Sequence, residues 1–221
     1  MSAVQSNSKV WEDIYSQGKG VLSYPSEPLV RLTYGLLNPQ QHKKVLDYGF
    51  GAAANLIHLA RRGFAMTGVE VSPSALQIAK TRCAQDNVQA DLRLLDGGKL
   101  PFDNDSFDAV IAWQVLYYNN WQSLYSAMLE IERVLRPGGL FIGTMAGTND
   151  VSHQMGKPLG DCEYISGVPG QEGAHLLIVE KHELQRCFPN RSITVGEFYY
   201  QFGDAISRHF IASYQKPGNS L

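Results

Sequence analysis

The chain has 221 residues, 44% of them apolar, and a formal net charge of −2. That length suits one domain with its own core, and without an excess of Lys or Arg the chain lacks the electrostatic footprint of a duplex-binding protein, so no nucleic-acid partner is expected. The opening "MSAVQSNSKVWEDIYSQGKG" has no basic segment followed by an apolar one, and no run nears the ~20 apolar residues of a membrane span, which leads us to expect a cytoplasmic protein that does not engage a membrane.

In chain order, a polar start is followed by "PLVRLTYGLL" (28–37), whose apolar residues are spaced like a helix. Strand-like bursts come next: "KVLDYG" (44–49), "AMTGVEV" (65–71), "DLRLL" (91–95), "FDAVIAW" (107–113) and "GLFIGTM" (139–145). Helical patterns at 53–62, 74–84 and 123–135 separate them, and strands alternating with helices of that length imply right-handed crossovers and a parallel sheet. "RPGG" (136–139) reads as a reverse turn feeding the fifth strand. Beyond it, "HELQRCF" (182–188) looks helical, and two β-rich runs within 192–216, joined through "DAI", lie too close in sequence to pair other than antiparallel. The expected fold is therefore α/β, a Rossmann-like doubly wound sheet, mostly parallel, ending in a C-terminal antiparallel hairpin. With no repeat, low-complexity tract or linker, one domain is expected over 1–221. Cys83, Cys162 and Cys187 are scattered, odd in number and without a CxxC pair, which argues against a zinc site or a disulfide framework.

The chemistry is expected at "VLDYGFGAAANL" (45–56). A strand that stops at Gly49 and yields to a helix leaves a tight turn in which Gly49 and Gly51 let the backbone bend and approach a ligand with no Cβ in the way. The turn by itself fits a dinucleotide, with its pyrophosphate on the helix start, or another adenosine-bearing cofactor. Asp47, two residues before the first glycine, would repel a pyrophosphate and attract a sulfonium or ammonium group. Glu70 ends the second strand ~20 residues on, the spacing at which an acid reaches ribose hydroxyls. Asp96, closing the third strand in "LLDGGKLPF", could accept from an adenine amino group.

The chain resembles the class I S-adenosylmethionine-dependent methyltransferases, in particular the small bacterial type 11 group. The residues that carry the resemblance are "VLDYGFGAAA", "GVEVSPSALQIAK", "LLDGGKLPFDNDSFDAVIA" and "EIERVLRPGGLFIGT", in the family's order over about 40–145. The resemblance implies S-adenosylmethionine as cofactor. Asp47, Gly49 and Gly51 would border its methionine part, Glu70 would bind both ribose hydroxyls, Val71 would pack on the adenine, and Asp96 with Gly97 would hold the adenine edge. Trp113 would sit beside the methionyl arm and face the acceptor. Two departures are visible: Ala53 stands where the family has a third glycine, and Phe50 lies between the first two.

The acceptor half is less legible. In "WQVLYYNNW" (113–121), at the carboxyl edge of the sheet where ligands bind in open α/β folds, Gln114 and Tyr117 are candidate substrate contacts; Tyr24 in "SYPSE" is another. The segment 1–38 resembles a lid that small-molecule methyltransferases fold over the cofactor, and 146–181 is expected to be a variable, substrate-side insert. His153 and His175 flank that insert and, with Tyr117, are candidate general bases. No HxxxH, HExxH or Cys/His cluster supports a metal, and the absence of "NPPY" or "DPPY" after the fourth strand disfavours methylation of DNA bases. The expected reaction is methyl transfer to oxygen or nitrogen of a small molecule. The rival readings are a non-catalytic S-adenosylmethionine-binding module and an NAD(P)-dependent reductase, which would use the same loop but should lack Asp47.

Overall fold

A computed structural model describes residues 3–96 and 98–218; Gly97 lies outside them. The first helix, α1 (Ala3–Ser16), grows out of the polar opening, and α2 (Glu27–Leu36) follows with Pro28 in its first turn. Then the alternation begins with β1 (Lys44–Tyr48), α3 (Ala54–Arg61), β2 (Ala65–Glu70), α4 (Pro73–Gln85), β3 (Asp91–Leu94), β4 (Phe107–Ala112), α5 (Trp121–Val134) and β5 (Leu135–Gly147). The helix starts are written locally. Ser72 accepts from Ala75 N at 3.0 Å ahead of Pro73, and Asn120 and Ser123 form a reciprocal capping box at α5.

β1 pairs in parallel with β2 and β4, β2 with β3, and β4 with β5, giving the order β3-β2-β1-β4-β5. Successive residues on the central strands point to opposite faces, and both faces are buried: Leu46, Val110 and Phe141 pack with α5, whereas Val45, Ile111 and Ile142 pack with α2 and α3. This is why these strands read as continuous apolar runs rather than as alternating ones.

The rest of the chain contains α6 (Val151–Gln154), β6 (Lys157–Gly160), β7 (Glu163–Ile165), β8 (His175–Val179), a 3-10 turn (Lys181–Glu183), α7 (Leu184–Cys187), β9 (Thr194–Phe202) and β10 (Ala205–Gln215). β10 lies antiparallel to β5 and to β9, which forms the hairpin at the sheet's end. The hairpin reverses at Gly203 and Asp204, with Ala205 and Ile206 already paired, rather than through 204–206. "RPGG" is no free reverse turn. Phe107 pairs with Leu135 and Ala109 with Leu140, so residues 136–139 form an irregularity within β5, with Gly138 at φ +75°. The helix expected at 182–188 is only a 3-10 turn and one α-turn. The insert carries its own antiparallel meander, and β8 extends the sheet by pairing in parallel with the end of β5, Ala146 against Ile178. The three cysteines are free. Among the described residues no helix is long and apolar enough to cross a membrane.

Candidate active site

β1 ends one residue before Gly49, whose N still donates to Val69 O of the neighbouring strand at 2.9 Å and whose φ of +77° then turns the chain. A Cβ on Gly49 would lie 2.5 Å from Val115 Cγ2, and one on Gly51, at φ +52°, would run into the Tyr15 hydroxyl. Both positions therefore need glycine for space as well as for conformation. Ala53, buried and left-handed at φ 64°, precedes α3; a methyl group there carries strain on the order of 1 kcal/mol that glycine would avoid. The Phe50 ring fills the gap above Gly68, beside Leu56, and points into the core.

Glu70, buried at the end of β2, holds this turn together. Its Oε2 accepts from Gly51 N at 3.0 Å, and its Oε1 accepts from Val71 N at 2.7 Å and Ser72 N at 3.0 Å. Burial pushes its carboxyl upward while those three N–H groups pull it back, leaving it above the ordinary carboxylate range. Asp47 is 2% exposed, and its Oδ2 has no hydrogen-bond partner among the described residues. Burial, reinforced by the nearby Glu70 charge, raises its pKa to about 7.

Glu70 and the glycine turn border a cavity of about 780 Å³, in the upper part of the range for ligand pockets, ~300–1,000 Å³, while Asp47 stays buried outside its lining. Gly49, Gly51, Glu70, Val71, Asp96 and Gln114 all line it; Asp96 is exposed at its rim. The opposite wall comes from α1, within the segment expected as a lid, and from the "WQVLYYNNW" stretch after the fourth strand. Asn7, Ser8, Trp11 and Tyr15 of α1 face the glycine turn, with Tyr118 and Asn119 beside them. The i, i+4, i+8 spacing of Asn7, Trp11 and Tyr15 puts them on one helical face, a periodicity that could have been read from "NSKVWEDIY". The helix is fixed near both ends. Asn7 bridges Tyr118 O (2.7 Å) and the backbone of His175, and Glu12 accepts from Ser72 Oγ and Ser74 Oγ, each at 2.6 Å. Arg82 adds a strap behind the turn by donating to Ala52 O and Leu22 O, both at 2.7 Å.

Besides Asp47, five expected residues are placed outside the described lining. Trp113 continues the face of Ala109 and Ile111, so its indole enters the core and stacks on Phe198 at 5.5 Å; the chain reaches the cavity only after Gln114, in the left-handed region at φ 55°, redirects it. Tyr117 is buried behind the wall, its hydroxyl 3.3 Å from His209 Nε2. Tyr24, next to the segment that Arg82 straps down, is 83% exposed. His153 lies on α6, edge-on to Tyr164. His175 reaches the site only through its backbone, which holds Asn7. Gly97 lies outside the described residues.

Among the described lining residues there is no Lys, Arg or His, while Glu70 and Asp96 are acids. A wall of that sign suits a cationic group and opposes a pyrophosphate. The unpartnered Asp47 oxygen and the glycine turn that admits no Cβ likewise fit a sulfonium- or ammonium-bearing adenosine cofactor.

Comparison with known proteins agrees with this geometry. A family described as a methyltransferase domain matches residues 45–139. The chain is 38% identical over 100 residues to a demethylmenaquinone methyltransferase of Tropheryma whipplei, covering 45% of this chain and 40% of that one. It is 30% identical over 173 residues to a sterol 4-C-methyltransferase of Caenorhabditis elegans, covering 71% and 50%. The chain thus spans half or less of the length of these two relatives. Among solved structures, a methyltransferase from Methanosarcina mazei superposes with a TM-score of 0.74 at 18% identity, over 88% of this chain and all of that one. A Burkholderia thailandensis 1,6-didemethyltoxoflavin-N1-methyltransferase with bound S-adenosylhomocysteine gives 0.72 at 15% identity, over 97% and 88%.

Proposed function

Starting from a chain that belongs to the class I S-adenosylmethionine-dependent methyltransferases, we propose that it transfers a methyl group to oxygen or nitrogen of a small-molecule acceptor. The observation that carries this is the cavity itself, in which a glycine turn and two acids, Glu70 and Asp96, meet with no cation on the described wall, and the turn is preceded by Asp47 with a buried, unpartnered oxygen. The relatives named above, whose names specify demethylmenaquinone, a sterol and 1,6-didemethyltoxoflavin, support a small acceptor.

S-adenosylmethionine, when bound, supplies a methyl group already activated on a sulfonium. Gly49, Gly51 and Asp47 would hold its methionine part, Glu70 its ribose, and Val71 and Asp96 its adenine. Glu70 can serve the ribose because each carboxylate oxygen keeps lone-pair capacity beside the N–H groups it already accepts. The chain's contribution is to align acceptor and donor and to exclude water. Fixed alignment of that kind is worth up to ~7–11 kcal/mol, so the absence of His153, His175 and Tyr117 from the described wall does not weigh against catalysis.

Calorimetric titration with S-adenosylhomocysteine, NADH and NADPH, on wild type and on Asp47→Asn, tests the reading. We expect the homocysteine ligand alone to bind, and to bind at least tenfold more weakly in the variant. Binding of a nicotinamide cofactor instead would overturn it. Turnover of tritiated cofactor in the presence of an acceptor would then separate an enzyme from a module that only binds the cofactor.

A further inference from the structure

Once Gly49, Gly51, Glu70, Val71 and Asp96 are assigned to the cofactor, other lining residues still have no role, among them Trp11 of α1, Tyr118, Asn119 and Gln114. Trp11 and Tyr118 meet edge to face, with ring centroids 4.8 Å apart, and form an aromatic corner beside the polar edge of Asn119 and Gln114. Asn7 does not belong to this set, because its amide is already spent on Tyr118 O and the backbone of His175.

We propose that this corner is the acceptor subsite and that it takes an uncharged, ring-bearing molecule, excluding carboxylates and phosphates. The proposal rests on the methyltransferase reading above and deepens it. A buried anion needs a cation or several donors to replace its water. Here no Lys, Arg or His lines the described wall, the cofactor's own carboxylate would already claim part of the N–H and O–H donors on it, and an acceptor anion would also face Glu70 and Asp96. A cationic amine would suit the field but would carry its lone pair as an N–H bond, unable to attack a methyl group. A neutral ring satisfies both conditions. Its face or edge packs on Trp11 and Tyr118, and its hydroxyl or ring nitrogen is met by the Gln114 amide and by the Asn119 carbonyl and remaining N–H, since one Asn119 N–H already donates to Leu116 O at 3.0 Å.

The test uses the whole chain saturated with S-adenosylhomocysteine and three naphthalene probes of matched size, 2-naphthol, 3-hydroxy-2-naphthoate and 2-naphthylmethylammonium, titrated by calorimetry. We expect 2-naphthol to bind at least tenfold more tightly than either charged probe. Trp11→Leu should weaken 2-naphthol at least fivefold while the cofactor product loses less than that. Gln114→Arg, which puts a cation on the wall without touching the aromatic corner, should close the gap between 2-naphthol and the carboxylate. Equal or tighter binding of the anion or the cation, or no binding of 2-naphthol up to millimolar concentration, overturns the proposal and leaves the methyltransferase reading intact. Failure to bind S-adenosylhomocysteine at all overturns both.

Discussion

The Glu70 charge at the end of β2 adds to burial in raising the proton affinity of Asp47 on the adjacent strand β1. Glu70 has three backbone N–H groups to offset its burial, whereas Asp47 keeps an oxygen with no described partner. Asp47 is therefore the group that a cationic ligand would benefit most.

This sets a pH dependence. The folded pKa of Asp47, about 7, lies above its unfolded value of 3.8. Between those values the native state binds more protons than the unfolded state, so this group makes stability fall as pH rises from about 4 to about 7 and level off above. Asp47→Asn removes the effect. In the ligand-free protein the variant should melt above wild type at pH 8, by ~2–8 °C for a gain of about 1–2 kcal/mol, with the difference closing near pH 5. Cofactor binding should run the other way: wild-type affinity for S-adenosylmethionine should rise with pH through about 7, with proton release below it, measurable by calorimetry in buffers of different ionisation enthalpy. A variant no more stable at pH 8 than at pH 5, relative to wild type, would contradict this.

At the turn, Gly51→Ala should destabilise by about 1–3 kcal/mol, because the new methyl group both strains a left-handed residue and runs into the Tyr15 hydroxyl. The two causes separate in a double-mutant cycle. Gly51→Ala with Tyr15→Phe should recover the steric part and not the conformational part, giving a coupling energy of about 1 kcal/mol in urea melts. Strict additivity would mean that α1 does not press on the turn.

What could be read from the sequence followed the physics of repetition. The alternation of apolar strands with helices and the Asp47–Gly49–Gly51 and Glu70 spacings are local patterns, and the structure brings Gly49, Gly51, Glu70, Val71, Asp96 and Gln114 to one cavity. Contacts made by chain closure were not legible. The lid expectation for 1–38 rests on resemblance alone: α1 itself reads as a polar start because its buried face lines a cavity rather than a hydrophobic core, and β8 is hidden because its pairing depends on the distant end of β5. Trp113 escapes a sequence reading for a simpler reason: one left-handed residue, Gln114, separates the strand's face from the cavity, and single-residue turns of that kind leave little trace in composition.

That placement makes Trp113 a sharp test. Its indole is 5% exposed and stacks on Phe198 of β9, away from the described lining. Trp113→Leu should cost about 2–4 kcal/mol of stability through lost packing, while affinity for S-adenosylhomocysteine in the surviving folded protein changes less than twofold. A large affinity loss at unchanged melting temperature would put the indole at the cofactor after all.

The attachment of α1 supplies the last prediction. Burial pushes the Glu12 carboxyl up, but hydrogen bonds from Ser72 and Ser74 outweigh it, and its pKa lies below the ordinary value of 4.5. A folded pKa below the unfolded one means that the stabilisation is complete above about 4.5 and disappears as pH falls through the folded value. Glu12→Gln keeps the size and removes the charge-assisted bonds. At neutral pH the variant should resemble wild type under acid: α1 released more often, trypsin cutting at the exposed Lys9 at least fivefold faster, and S-adenosylhomocysteine dissociating faster, since α1 forms the wall opposite the glycine turn. The melting temperature should move little, because α1 contributes only a small satellite cluster around Tyr15, Ala52 and Ala75 outside the two main cores. Faster proteolysis without faster ligand release would show that α1 covers the cavity without retaining what it holds.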